Sequence, residues 1–202
     1  MKEKLVIIGA SGHGKVVADI ALSSGKYKEI VFLDDNDCSK RLGDKYFGKS
    51  ELAAEMLDEY ELFVAIGNSK VREKLMSQYK NAEVATLIHP NAVVSSSVKI
   101  GKGTVVMAGA VINADSVIGD GAIINTCASV DHDCKVEDFS HIAVGAHLCG
   151  TVNIGAHTWI GAGATVINNI EVCSDCFVGA GAVVVGNLDF PGTYVGVPAK
   201  IK

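Results

Sequence analysis

The sequence predicts an α/β domain followed by a parallel β-helix, and two observations carry that prediction. From Ile88 to Val184 every sixth residue is Ile, Val or Leu, seventeen times without a break. Ahead of that series, residues 1–87 alternate strand-like apolar runs with helix-like segments around a glycine loop. A period of six is neither the roughly 3.6 of a helix nor the roughly 2 of a strand; it marks a prism in which each hexad supplies one flat side and one corner. Strand–helix–strand alternation implies a small parallel sheet.

In the first domain, Lys4-Leu5-Val6-Ile7-Ile8 reads as a buried strand, followed by the loop Gly9-Ala10-Ser11-Gly12-His13-Gly14 and a helix from about Lys15 to Ser23. Glu29-Ile30-Val31-Phe32-Leu33 is a second strand ending in Asp34-Asp35. Leu62 to Ile66 is a third, followed by Gly67-Asn68 and a helix capped by Ser69 and running to about Tyr79. The loop spacing is Gly-x-x-Gly-x-Gly rather than the dinucleotide fingerprint, and the domain is about half the length of a two-part dinucleotide fold. An NAD site with Asp34 as its ribose acid is therefore disfavoured. One Rossmann-like βαβαβ half suits the nucleotide of a nucleotide-linked substrate, because the glycines and the helix N-terminus let backbone N–H groups approach a phosphate. A tight turn without a ligand is the other reading of the same loop.

In the prism, the fourth residue after each aliphatic is mostly small (Ala110, Ser116, Ala122, Ala128, Ser140, Ala146, Thr158, Ala164) and is the second inward position. Gly, Asn or Asp often follows the aliphatic directly (Gly101, Asn113, Gly119, Asp131, Gly155), and these are expected to be the corners needing unusual backbone angles. Three hexads per coil give residues 88–187 between five and six coils, with residues 188–202 as a C-terminal tail. Cys173 and Cys176 form the sole C-x-x-C among six cysteines, and no second pair stands at zinc-finger spacing. The cysteines are expected to be reduced structural thiols, and Cys134 falls on an inward position.

His132 stands two residues after Val130, near a corner and pointing outward, with Asp131 and Asp133 on either side. A carboxylate beside an imidazole orients the ring and stabilises its protonated form, so His132 is either a general base or a solvated surface histidine. His141 and His147 lie on successive faces and His157 at a different hexad position, which makes a metal cluster hard to build. A formal net charge of −5 argues against nucleic acid as a partner. No apolar run approaches the roughly 18 residues of a membrane span. The start Met1-Lys2-Glu3-Lys4 is not a signal peptide, and a cytoplasmic protein is expected.

Gly9-Ala10-Ser11-Gly12-His13-Gly14, Phe32-Leu33-Asp34-Asp35, Ala65-Ile66-Gly67-Asn68, Asn125-Thr126, His132-Asp133-Cys134, Phe139-Ser140-His141 and Gly196-Val197-Pro198-Ala199-Lys200 occur in that order. Together they resemble the bacterial sugar acyltransferases that include UDP-4-amino-sugar N-acetyltransferases and sialic acid O-acetyltransferases, over essentially the whole chain. The resemblance implies a left-handed coil, a homotrimer, acetyl-CoA lying between prisms of adjacent subunits, no metal, and a nucleotide sugar held by the N-terminal domain. It implies His132 as general base with Asp133 as its acidic partner; some members carry Glu there, and Asp131 is the alternative partner. Carried over in the same way, His141 would contact acetyl-CoA near the thioester and the backbone at Ala162 and Ala180 would line the pantetheine groove. Ser11, Gly12 and His13 would meet the diphosphate, and Asp34, Asp35 and Gly67 would border the nucleoside. The expected reaction is N-acetylation of the 4-amino group of a UDP-linked 4-amino-4,6-dideoxy sugar by direct transfer in a ternary complex. O-acetylation of a sialic acid or related sugar is the alternative. A non-catalytic hexapeptide-repeat scaffold is disfavoured by the His132-Asp133 pair and the glycine loop.

Overall fold

A computed structural model describes residues 2–202, the side chains of Arg41 and Asp44 apart. The chain divides into two compact units, Met1–Pro90 and Asn91–Lys202.

The first unit is a four-stranded parallel sheet. Its elements are β1 (Lys4–Ile8), α1 (Gly12–Ser23), β2 (Glu29–Leu33), α2 (Ser39–Leu42), β3 (Tyr46–Gly48), α3 (Ala53–Met56), β4 (Glu61–Val64) and α4 (Ser69–Gln78), in the strand order β3-β2-β1-β4. Leu5, Val6, Ile7, Leu33 and Leu62 are fully buried, as expected for strands covered on both faces. Three expectations are corrected. Helix α1 begins at Gly12, not Lys15, so the last glycines of the loop belong to its first turn. Strand β4 is Glu61–Val64 rather than Leu62 to Ile66. The cap of α4 is Asn68, whose side chain accepts a hydrogen bond from Val71 N–H at 3.1 Å, and Ser69 is already helical. Strand β3 was not expected; its alternation is too short to read from sequence.

The second unit stacks two-residue strands into three parallel sheets at eighteen-residue steps. Face one carries Lys99–Ile100, Val117–Ile118, Lys135–Val136, Asn153–Ile154 and Glu171–Val172. Face two includes Val105–Val106, Ile123–Ile124, His141–Ile142, Trp159–Ile160 and Cys176–Val178. Face three carries Val93–Val94, Val111–Ile112, Ser129–Val130, His147–Leu148, Thr165–Val166 and Val183–Val184. The aliphatics point inward, and Ile124, Val130, Ile142, Ile154 and Ile160 are fully buried. The small residues four positions later are buried as expected. Their hydroxyls satisfy the corner backbone: Ser116 Oγ donates to Asp131 O at 2.7 Å and accepts from Cys134 N–H at 3.2 Å. The segment set apart as a tail extends the prism, because Gly192–Val195 pairs with Cys176–Val178 in parallel and Lys200–Ile201 returns antiparallel beside it.

The corner chemistry differs from expectation. After the aliphatics from Ile100 to Val178, the left-handed backbone angle falls three residues on, not one. It is taken by Gly103, Gly109, Gly121, Gly145, Gly163 and Gly181, and by Asp115, Cys127, Asp133, Phe139, Thr151, His157, Asn169 and Asp175. Glycines directly after the aliphatic serve close stacking instead: a Cβ on Gly161 would lie 2.5 Å from Val178 O, the backbone of the next coil. Sequence patterning shows that corners favour small residues but does not separate a conformational need from a steric one.

Candidate active site

Residues 131–133 form the outer turn joining face three to face one, held by the buried Val130 and Cys134 on either side. Asp133 takes the left-handed conformation at φ 56°, which Asp tolerates better than most residues. In this turn its carboxylate reaches the imidazole, with His132 Nδ1 donating to Asp133 Oδ2 at 2.8 Å. Asp131 is engaged elsewhere: its Oδ1 accepts from the His132 backbone N–H and from Asn113 Nδ2, each at 2.8 Å. The bond to Asp133 is the main cause raising the His132 pKa above its ordinary value, and the charges of both aspartates add to it. The Asn113 bond holds Asp131 below the usual carboxylate range. With Nδ1–H committed to a carboxylate, the neutral ring carries its lone pair on Nε2, the tautomer of a base. The ring is exposed, and its Cε1–Nε2 edge lies over Gly150 of the next coil.

Cys134 points inward, its thiol donating to Cys149 O at 3.1 Å, and burial pushes its pKa up, so it is poorly suited to covalent attack. The described residues hold no group of three or more His, Cys, Asp or Glu side chains able to bind a metal. His147 bonds Ser129 Oγ at 2.8 Å, and His157 stacks on Phe139 with ring centroids 5.5 Å apart.

His141 is buried on face two, where Asn125 Nδ2 donates to its Nε2 at 2.9 Å and Trp159 covers it at 4.2 Å between centroids. Thr126 N–H donates to Asn125 Oδ1 at 2.8 Å, which fixes the amide. Asn125 was not singled out from sequence as a site residue, although its motif was. Ala162 and Ala180 are exposed and stacked, eighteen residues apart, on the corner that follows face two, with Gly181 N–H donating to Ala162 O at 2.9 Å. Their methyl side chains leave the backbone open to an extended chain such as pantetheine. Within one chain, His132 and these two alanines stand on different corners, with face three between them.

In the first unit, Ser11, Gly12 and His13 follow β1, Asp34 and Asp35 follow β2, and Gly67 follows β4, so all six lie at the C-terminal edge of the sheet, where such folds bind ligands. Ser11 and Asp34 line a cavity of about 370 Å³ with Asn36, Asp37, Cys38 and Lys40. Asp34 also braces the loop, its Oδ2 accepting from Ala10 N–H at 2.8 Å. Asp35 accepts from Ser50 Oγ at 2.6 Å, tying the end of β2 to the connection after β3. The glycines divide by role. Gly9 takes φ 106°, and a Cβ on it would lie 2.6 Å from Ala65 O, while Gly14 packs against Gly9 O. Gly12 and Gly67 have open space and no left-handed angle, so neither packing nor conformation requires them. His13 is half-buried, and desolvation, with Arg72 nearby, lowers its pKa to about 4, so it is a neutral hydrogen-bonding group at neutral pH. Arg72, fully buried on α4, donates from Nη1 to Ile66 O at 2.7 Å and Gly67 O at 3.0 Å, fixing the loop after β4. Asn36, Asp37 and Cys38 follow Asp35 directly but carry no motif, and Lys40 and Arg72 were missed because only the fold brings them to this edge.

Comparison with known proteins gives a consistent neighbourhood. Residues 4–79 match the family model of the PglD N-terminal domain. The acetyltransferase domain of PglB from Neisseria gonorrhoeae FA1090, solved in complex with acetyl coenzyme A, is 43% identical with a TM-score of 0.97, covering 100% of both chains. A histidine-to-asparagine variant of perosamine N-acetyltransferase from Caulobacter crescentus, solved with CoA and GDP-perosamine, is 40% identical with a TM-score of 0.92 over 98% of this chain and 96% of that one. UDP-N-acetylbacillosamine N-acetyltransferase from Bacillus subtilis (strain 168) is 35% identical over 111 residues, a match spanning 52% of this chain and 51% of that protein.

Proposed function

Because the chain belongs to the PglD-like acetyltransferase family, a Rossmann-like domain joined to a left-handed β-helix, we propose that it transfers the acetyl group of acetyl-CoA to the 4-amino group of a nucleotide-linked 4-amino-4,6-dideoxy sugar, UDP being the carrier that the family resemblance implies. The observation that carries the mechanism is the His132–Asp133 contact at 2.8 Å, which leaves Nε2 as the outward-facing base. As the sugar nitrogen attacks the thioester carbonyl, Nε2 takes its proton; the C–N bond forms, the C–S bond breaks and CoA leaves as the thiolate. Asp133 stabilises the imidazolium that forms.

Relatives solved or named with amino-sugar nucleotides favour an amine over a hydroxyl acceptor. Gly12 and Gly67, which the fold itself does not require, favour a ligand approaching the backbone at the sheet edge. The separation of His132 from Ala162 and Ala180 within one chain favours a homotrimer, with His132 of one copy facing the CoA corner of the next.

Replacing His132 by Ala should lower turnover about a hundredfold or more, measured as thiol release from acetyl-CoA with an amino-sugar nucleotide. Near-wild-type turnover would sink the assignment of the base. Parallel assays with UDP- and GDP-linked 4-amino sugars identify the carrier.

A further inference from the structure

Gly150 occupies a position whose backbone needs no glycine. Its φ lies outside the left-handed region, which in this corner is taken by Thr151 at φ 62°. Gly155 and Gly161, which follow aliphatics directly, are crowded by the backbone of the next coil alone; Gly150 is crowded by a single side chain. A Cβ built on it would lie 2.6 Å from both Cε1 and Nε2 of His132 and 3.2 Å from Cδ2, and these ring atoms are its three nearest neighbours. Position 150 stands one coil beyond position 132, and Thr151 N–H donates to His132 O at 2.9 Å, so the register of the two corners is fixed by backbone.

We propose that Gly150 is a positioning residue, its missing side chain forming the seat on which the His132 imidazole rests while Asp133 holds Nδ1. The inference depends on the reading of His132 as the base only for its catalytic consequence; the steric part stands without it. Real Cβ contacts to carbon rarely fall below about 3.4 Å, so a methyl at position 150 displaces the ring by roughly 1 Å. A shift of that size in a catalytic group can cost on the order of a hundredfold in rate. The ring then either leaves Asp133 or carries Nε2 away from the acceptor.

The test is a double-mutant cycle in the full chain, comparing Gly150→Ala in the wild-type background and in His132→Ala. Gly150→Ala should lower the unfolding midpoint, or perturb the His132 ring resonances, only while the imidazole is present, and should leave the midpoint of His132→Ala unchanged. The same destabilisation in both backgrounds would mean that the glycine serves the backbone and would overturn the proposal. In turnover, Gly150→Ala should lose ten- to a hundredfold in kcat with KM for acetyl-CoA within about twofold; unchanged kcat together with unchanged ring resonances overturns it as well. Ring resonances that move in a protein without acetyl transfer would keep the seat and reject the function. Transfer with resonances that do not move would do the reverse.

Discussion

His132 keeps two carboxylates close and uses them differently. Asp133 holds the ring, and Asp131 holds the backbone of the turn. As the proposed base, His132 must be neutral to accept a proton, so kcat/KM should rise with pH through its raised pKa. Asp133→Asn removes the main cause of that rise, so the ascending limb should move to lower pH while the plateau falls. A limb that stays in place would assign the raised pKa to another group. His13 runs the opposite way: its folded pKa of about 4 lies below the unfolded value of about 6.5. Its neutral form is favoured by folding, so stability is present above about pH 6.5 and is lost as pH falls toward 4. A His13→Asn variant should show a flatter decline in unfolding midpoint across that window. The His132-Asp133 pair was legible as adjacent letters. Gly150 was legible in principle, since the coil length places position 150 beside position 132, but the clue is a glycine with no conformational reason, and only coordinates show that.

At the scale of the element, the corners from Gly103 to Gly181 place the third residue after the aliphatic in the left-handed region, at a cost of about 1–2 kcal/mol for an ordinary L-residue. Thr151 is the β-branched residue among them, at φ 62° and exposed. Thr151→Gly should therefore raise stability by about 0.5–1 kcal/mol, the strain relieved exceeding the glycine's own entropic cost, readable as a higher urea midpoint; a lower midpoint would show that the turn is not strained there. The hexad period made the inward aliphatics and their small partners visible, because burial imposes composition. It did not locate the left-handed residue, because Asp, Asn and Gly satisfy both tight turns and tight stacking. In the first unit, strands β1 and β2 were readable as apolar runs, whereas β3 and the cavity residues around Lys40 depend on a connection with no periodicity.

At the scale of the molecule, the proposed reaction needs His132 and the Ala162–Ala180 corner together, and one chain holds them on opposite sides of face three. Sedimentation equilibrium should give three times the 21.1 kDa of a single chain; a fully active monomer would reject the shared site. No helix among the described residues is long and apolar enough to cross a membrane.

The eighteen-residue coil makes the prism behave as a dial as well as a column. Excising one whole coil shifts everything beyond it along the axis and returns every residue to the face it had. Excising a single hexad turns everything beyond it by a third of a revolution, moving Ala162 and Ala180 to another corner while His132 stays put. Insertions and deletions in such a chain are thus sorted by arithmetic: multiples of eighteen change its height, and other multiples of six change which chemistry faces which neighbour.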